Sequence, residues 1–143
     1  DKYHWDAGLD LFPTSPPYER IKLSSKQTRI NVSTGFHLVI PPGAYGQICD
    51  RSSTPERLYG ATTYGGIIDS GYTGEIKVHV HCDAELVDLV YAAIEQSAKD
   101  ETAIAQLIVS GFFIPVIQIA PGKPVIAGRG DKGYGSTDAK VIV

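Results

Sequence analysis

The sequence predicts an all-β domain, a jelly-roll-like distorted barrel, with a short helix over residues 83–96. Short apolar runs recur along the chain with the two-residue alternation of strands. Fifteen Gly and nine Pro in 143 residues separate those runs, which suits turns between strands and not a bundle of helices. Only in residues 83–96 does the rhythm change, where Leu86, Leu89, Val90, Ala93 and Ile94 recur at helical spacing and Asp83 is placed to cap the first turn.

In chain order, Ile21-Lys22-Leu23 reads as a short edge strand after a proline-rich turn over residues 12–17. Residues 29–32 and 34–40 read as two further strands, the second ended by Pro41-Pro42-Gly43. Residues 45–49 form the next strand and deliver the chain into Arg51-Ser52-Ser53, followed by a turn region. Residues 76–82 alternate cleanly, with Ile76, Val78 and Val80 on one face and Lys77, His79 and His81 on the other. Residues 104–109 and 112–119 read as strands separated by Ser110-Gly111, with Pro115 marking the second as an edge or a bulged strand. The chain reads as one domain over residues 1–128, with a Gly-rich arm over residues 129–143.

Composition narrows the function. A formal charge of -3, without a basic run, argues against wholesale binding of nucleic acid backbones. No apolar run reaches membrane length and no signal-peptide pattern opens the chain, so the expectation is an intracellular protein, cytoplasmic or nuclear. The two cysteines, Cys49 and Cys82, make no CxxC pair and no disulfide framework, which fits a reducing compartment. The absence of Met fits a chain trimmed or cut from a larger precursor, as in a viral polyprotein, and a virion location is then open. His79 and His81 alternate along a strand, an arrangement that gives two aligned imidazoles and reads as a solvated or interface pair more than as a zinc site with Cys82.

The chemistry concentrates in residues 65–76. Read as a hairpin turning at Ser70-Gly71, this stretch sets Asp69 and Tyr72 opposite each other on one face. A carboxylate and a phenol ring held side by side at the tip of a hairpin have the makings of a site, the other reading being a solvated turn. Gly65 and Gly66 allow a ligand to come close to the backbone.

With these segments in hand, the chain resembles the trimeric dUTP pyrophosphatase (dUTPase) family over nearly its whole length. Five motifs occur in the family order: Ala7-Gly8-Leu9-Asp10-Leu11; Pro42-Gly43 and Tyr45-Gly46 with Arg51-Ser52-Ser53; residues 66–76; Ile104-Ala105-Gln106-Leu107-Ile108; and Arg129-Gly130 through Thr137. The resemblance implies a homotrimer of jelly-roll subunits with shared active sites, cleaving dUTP to dUMP and pyrophosphate with Mg2+. Such activity limits uracil in DNA and supplies dUMP.

The resemblance also implies roles. Asp69 corresponds to the base that readies the attacking water, and Tyr72 to the ring that leaves no room for a ribose 2′-hydroxyl. Uracil would be read by main-chain groups around residues 63–68, Gly66 and Ile68 among them. Arg51, Ser52 and Gln106 would hold phosphates, and Asp10 would contact the water shell of the metal or fix Asp69. In the arm, Arg129 would meet the γ-phosphate, Tyr134 would stack on uracil beside Gly135, and Ser136 and Thr137 would donate to terminal oxygens. Mg2+ would be held mainly by the phosphates, with no direct protein ligand.

Departures from the family are local. Gly71 stands where many relatives carry Asp, and Glu101-Thr102-Ala103 stands where the fourth motif ordinarily begins Gly-x-Arg. An insertion of roughly eight or nine residues before Gln106 coincides with the expected helix. Asp138 stands where Gly is usual. The rival readings are a dCTP deaminase-related enzyme, for which no deaminating group is found, and a non-catalytic dUTPase-like interaction protein, which leaves the retention of Asp69, Tyr72, Arg129 and Ser136 unexplained.

Overall fold

The computed structural model describes residues 6–115, 117, 121 and 122. All the regular elements among the described residues lie in one unit that ends at Phe113. They are β1 (Leu9–Leu11), β2 (Glu19–Lys22), β3 (Gln27–His37), β4 (Ala44–Cys49), α1 (Thr54–Arg57), β5 (Thr62–Tyr64), β6 (Ile67–Ile68), β7 (Glu75–Asp83), α2 (Val87–Lys99) and β8 (Ala105–Gly111).

The strands make two four-stranded antiparallel sheets, ordered β1-β8-β4-β6 and β2-β3-β7-β5. Alternation builds the core directly: Ile76, Val78, Val80 and Cys82 of β7 point inward with Ile30 and Val32 of β3, and meet Leu11, Ile48, Ile68 and Leu107 from the other sheet. Each such side chain contributes roughly 1.5–3 kcal/mol by leaving water. The jelly-roll-like, all-β character is as expected, but the sheets do not close into a barrel: β1, β6, β2 and β5 end their ladders among the described residues.

The expected helix is present, and its start differs. A 3-10 turn over Ala84–Leu86 leads into α2. Asp83 does not cap it, because its carboxylate accepts a hydrogen bond from the Gln27 side chain at 2.8 Å. Val90 and Ile94 on the inner face of α2 are fully buried. On its flank, Arg20 pairs with Asp88 at 2.6 Å and lies 4.3 Å over the Tyr91 ring. The insertion therefore adds to the core of its own chain.

The end of α2 accounts for one departure from the family. Glu101 has φ +52, Thr102 N–H donates to the Ser97 carbonyl at 2.9 Å, and Glu101 N–H reaches the Ala98 carbonyl at 3.5 Å. This is a Schellman closure, with Glu101 in the left-handed place that glycine ordinarily fills.

Three strand readings need correction. Residues 29–32 and 34–40 are not separate strands; β3 covers the first and runs into the second as far as His37, with a bulge between Ser33 and Phe36 where Gly35 takes φ +66, and residues 38–40 are not strand. Ser110 and Gly111 do not separate strands, since they pair with Tyr45 and Ala44 at the end of β8. Beyond them the described residues of 112–119 are not a strand: the last bond of that ladder is Phe112 N–H to the Gly43 carbonyl at 3.0 Å. The expected edge strand at residues 21–23 is β2, an edge, shifted slightly toward the N-terminus.

Candidate active site

The turn at residues 69–72 is closed by Tyr72 N–H donating to the Asp69 carbonyl at 3.0 Å. Its flanking strands do not pair as a hairpin. β6 pairs with β4 in one sheet, and β7 pairs with β3 and β5 in the other, so the turn carries the chain across the sandwich. At the start of β7 the Glu75 carbonyl accepts from the Tyr72 hydroxyl at 2.9 Å and the Ile76 carbonyl from Thr34 Oγ1 of β3 at 2.5 Å.

Asp69 and Tyr72 nevertheless line one cup of about 280 Å³, with Ile48, Gly65, Ile67, Ile68, Ile76 and His79 among its walls. Both are exposed, and among the described residues nothing hydrogen-bonds the Asp69 carboxylate. The Tyr72 ring lies across Gly74, where a Cβ would collide with it. β5 and β6, at the ends of their sheets, are joined by Gly65-Gly66, with Gly66 at φ +73. A Cβ at Gly65 would strike Ile48 and come within 3.0 Å of the Lys77 carbonyl. The cup thus lies beside a sheet edge, with β6 in its wall and β5 joined to it through Gly65-Gly66.

One wall of the cup continues into an aromatic–imidazole group. The Tyr64 ring meets His79 edge-on at 5.8 Å and His81 at 4.4 Å. Burial pushes both imidazoles below the usual histidine range, and the Arg29 guanidinium adds to the effect.

A second depression, a groove of about 900 Å³, shares no lining residue with the cup. It is lined by Asp10, Arg51, Ser52 and Gln106 together with the segment before β1. Asp10 and Gln106 are direct partners in the β1–β8 ladder. Arg51 Nε bonds Asp10 at 2.9 Å and Arg51 Nη1 reaches the Ala103 carbonyl at 3.4 Å. Gln106 Nε2 donates to the Asp50 carbonyl at 2.8 Å, and a side chain at Gly8 would run into the Gln106 amide. The side chains of Arg51 and Gln106 are thereby both held to the frame of the groove.

The structure therefore sorts the expected residues into two sets. Ile68, Asp69 and Tyr72 belong to the cup, with Gly66 in the link above it; Asp10, Arg51, Ser52 and Gln106 belong to the groove. Arg129, Tyr134, Gly135, Ser136 and Thr137 lie outside the described residues.

Three supporting residues escaped the sequence reading. Asp50 Oδ1 accepts from both the Thr63 amide and hydroxyl, at 2.6 and 2.7 Å, and so ties β4 to β5. Thr54, 1% exposed, accepts from Arg51 N–H and donates to the Ile104 carbonyl, both at 2.9 Å. Glu75 holds the bulge of β3 by accepting from Gly35 N–H at 2.9 Å. Thr54-Pro55 was a legible helix-start signal for α1, with Pro in the first turn; nothing local marks Asp50 or Glu75.

Comparison with known proteins places the chain in a family. The dUTPase family model matches residues 1–138. The Gag-Pro polyprotein of Sheep pulmonary adenomatosis virus is 34% identical over 133 residues, 93% of this chain and 13% of the polyprotein. The deoxyuridine 5'-triphosphate nucleotidohydrolase of Paramecium bursaria Chlorella virus 1 is 35% identical over 109 residues, 76% of this chain and 70% of that protein. Among solved structures, a variant of the Staphylococcus bacteriophage 80alpha dUTPase superposes with TM-score 0.65 at 21% identity, covering 95% of this chain and 89% of that one. The native EIAV dUTPase superposes with TM-score 0.58 at 22% identity, covering 87% and 92%. These structures share the fold, and the match of the family model over nearly the whole length shows that the chain belongs to the dUTPase family.

Proposed function

We propose that the protein hydrolyses dUTP to dUMP and pyrophosphate, and that each active site joins the cup of one copy to the groove of another in a homotrimer. The observation that carries the reading is the cup, where Asp69 and Tyr72 face one cavity beside a sheet edge. Uracil lies against the main chain of residues 63–68, whose donors and acceptors pair with O4, N3–H and O2. Cytosine would leave a buried group unpaired there, a mismatch that discriminates strongly.

The deoxyribose packs on Tyr72. The Asp69 carboxylate takes a proton from a water as its oxygen attacks the α-phosphorus; the bond from that phosphorus to the α,β-bridging oxygen breaks, and pyrophosphate leaves with the bonding pair. Arg51, Ser52 and Gln106 hold the phosphate chain in line for that attack.

Among the described residues no three His, Cys, Asp or Glu side chains converge on a metal position, and Asp10 is engaged by Arg51. Asp10 would face the water shell of an Mg2+ ion held by the phosphates; such an ion would offset charge on the triphosphate and the leaving pyrophosphate. We assign the arm residues Arg129, Tyr134, Gly135, Ser136 and Thr137 to closure over the bound nucleotide, from the family resemblance, so that water is expelled and the phosphate contacts strengthen. The division into a β domain and an arm at residue 129 belongs to the same proposal.

The separation of the two depressions favours sharing between copies, since neither holds both the base and the phosphate groups. The test of the activity is incubation with Mg2+ and each deoxynucleoside triphosphate in turn. Pyrophosphate and dUMP from dUTP alone are expected. Ammonia from dCTP would replace the reading with a deaminase, and tight dUTP binding without turnover would replace it with an interaction protein.

A further inference from the structure

We propose that Glu75 is a positioning residue for sugar selection: it fastens the Tyr72 ring to the bulge of β3. The inference rests on the reading of Tyr72 as the surface that packs on deoxyribose.

A ring can exclude one oxygen atom only if it cannot tilt. Tyr72 is 46% exposed and sits on a turn closed by a single main-chain bond, so the turn alone does not hold it. Its hydroxyl is bonded to the Glu75 carbonyl at 2.9 Å, and its face rests on the bare backbone of Gly74. The rigidity of the ring is then that of residue 75. Glu75 ends the β3–β7 ladder opposite His37, and its side chain adds a second tie to β3, where Oε1 accepts from Gly35 N–H at 2.9 Å.

That amide is free because of the bulge. The register slips between Ser33 and Phe36, and Gly35, at φ +66, drops out of the ladder with its N–H unpaired by β7. A carboxylate suits it better than a neutral acceptor. Two further bonds brace the same junction: Thr34 Oγ1 to the Ile76 carbonyl at 2.5 Å, and His37 Nδ1 with the Thr73 carbonyl at 3.1 Å. All of these engage residues 73–76, downstream of Tyr72; Asp69 receives none of them. The bulge thus serves the ring and leaves the base unconstrained.

Glu75→Gln and Glu75→Met test this, because the two side chains match in length and only Gln can accept the Gly35 bond. In the full chain with Mg2+, kcat/KM is measured for dUTP and UTP, and the ring signals of Tyr72, assigned by their loss in Tyr72→Phe, are followed by NMR in protein with labelled tyrosine. Glu75→Gln is expected to keep the native dUTP preference within about twofold and the native ring signals. Glu75→Met is expected to lose about fivefold or more of the preference, the size of one hydrogen bond, mostly through KM for dUTP, with displaced and motionally averaged ring signals. Glu75→Ala serves in place of the Met variant if that protein does not fold. Native preference and native ring signals in Glu75→Met would overturn the proposal. If the unaltered protein fails to distinguish the sugars, the reading of Tyr72 falls, and unchanged ring signals in Glu75→Met would still overturn the hold of Glu75 on the ring.

Discussion

Arg51 and Gln106 are each tied by their side chains to the frame of the groove, Arg51 to Asp10 and Ala103, Gln106 to Asp50. Asp69, in the cup, has its carboxylate on an exposed turn without a hydrogen-bond partner among the described residues. The contrast fits the roles proposed for each group. A group that receives a phosphate benefits from being fixed beforehand, since ordering it during binding would weaken affinity. A base must be able to take a proton, and a carboxylate saturated with donors would be too weak a base for the task. Tyr72, on the same turn, is held through Glu75, whose carbonyl takes its hydroxyl and whose side chain accepts from Gly35 N–H, which suits the proposed task of shape.

The largest expected effect tests the cup. Asp69→Asn should keep dUTP binding while losing about 10²–10⁴ in kcat, the range for a positioned base; single-turnover kinetics with a separate binding titration make the distinction, and near-normal turnover would remove Asp69 from the role. The next tests the frame of the groove. Thr54→Val deletes a buried hydroxyl that serves both the Arg51 amide and the Ile104 carbonyl, and should lower stability by about 1–3 kcal/mol in urea unfolding. The same change should weaken binding of pyrophosphate and leave the NMR signals of Tyr72 as they were.

A smaller effect, of opposite sign, is expected beside the strand that carries Gln106. Glu101→Gly relieves the left-handed strain at φ +52 and should raise stability by about 1 kcal/mol or less. Thermal unfolding at constant pH measures it, and a loss of stability would mean that the Glu101 side chain contributes more than its backbone costs.

The smallest concerns the wall of the cup. Since burial lowers the His79 and His81 values in the folded chain, the unfolded chain takes up protons first as pH falls. The stability these residues contribute is therefore present above the ordinary histidine value of about 6.5 and is lost as pH falls through their lower folded values. His79→Gln should flatten the acid limb of a pH–stability curve; an unchanged limb would assign the loss to other groups.

Much of this was legible because it is periodic or local. The alternation of β7 gives its inward face residue by residue, and α2 appears where leucine, valine and isoleucine recur at helical spacing. Asp69 and Tyr72 could be found three residues apart on a short turn. What escaped was the pairing. Nothing in residues 65–76 says that β6 and β7 belong to different sheets, because a partner strand lies far off in sequence and the local pattern is that of a hairpin. The Gly35 bulge hid in the same way: a strand that slips register looks like two strands with a glycine between them. Asp50 and Glu75 were illegible because each owes its function to one backbone amide brought near by the fold, at Thr63 and Gly35. Even the departure at Glu101 keeps the backbone form that a glycine would take, so the change of residue overstated the change of structure.

The contrast between cup and groove underlies the proposal that the two halves of a working site come from different copies. Coexpression of Asp69→Asn and Arg51→Ala chains in equal amounts tests it. Each parent alone should be nearly inactive. In mixed trimers, a site drawing its cup from an Arg51→Ala chain and its groove from an Asp69→Asn chain is intact, so activity should recover to about a quarter of the unaltered level by random pairing of adjacent copies. Activity that stays at the level of the parents in trimers shown to be mixed would contradict the account and place cup and groove of each site on one chain.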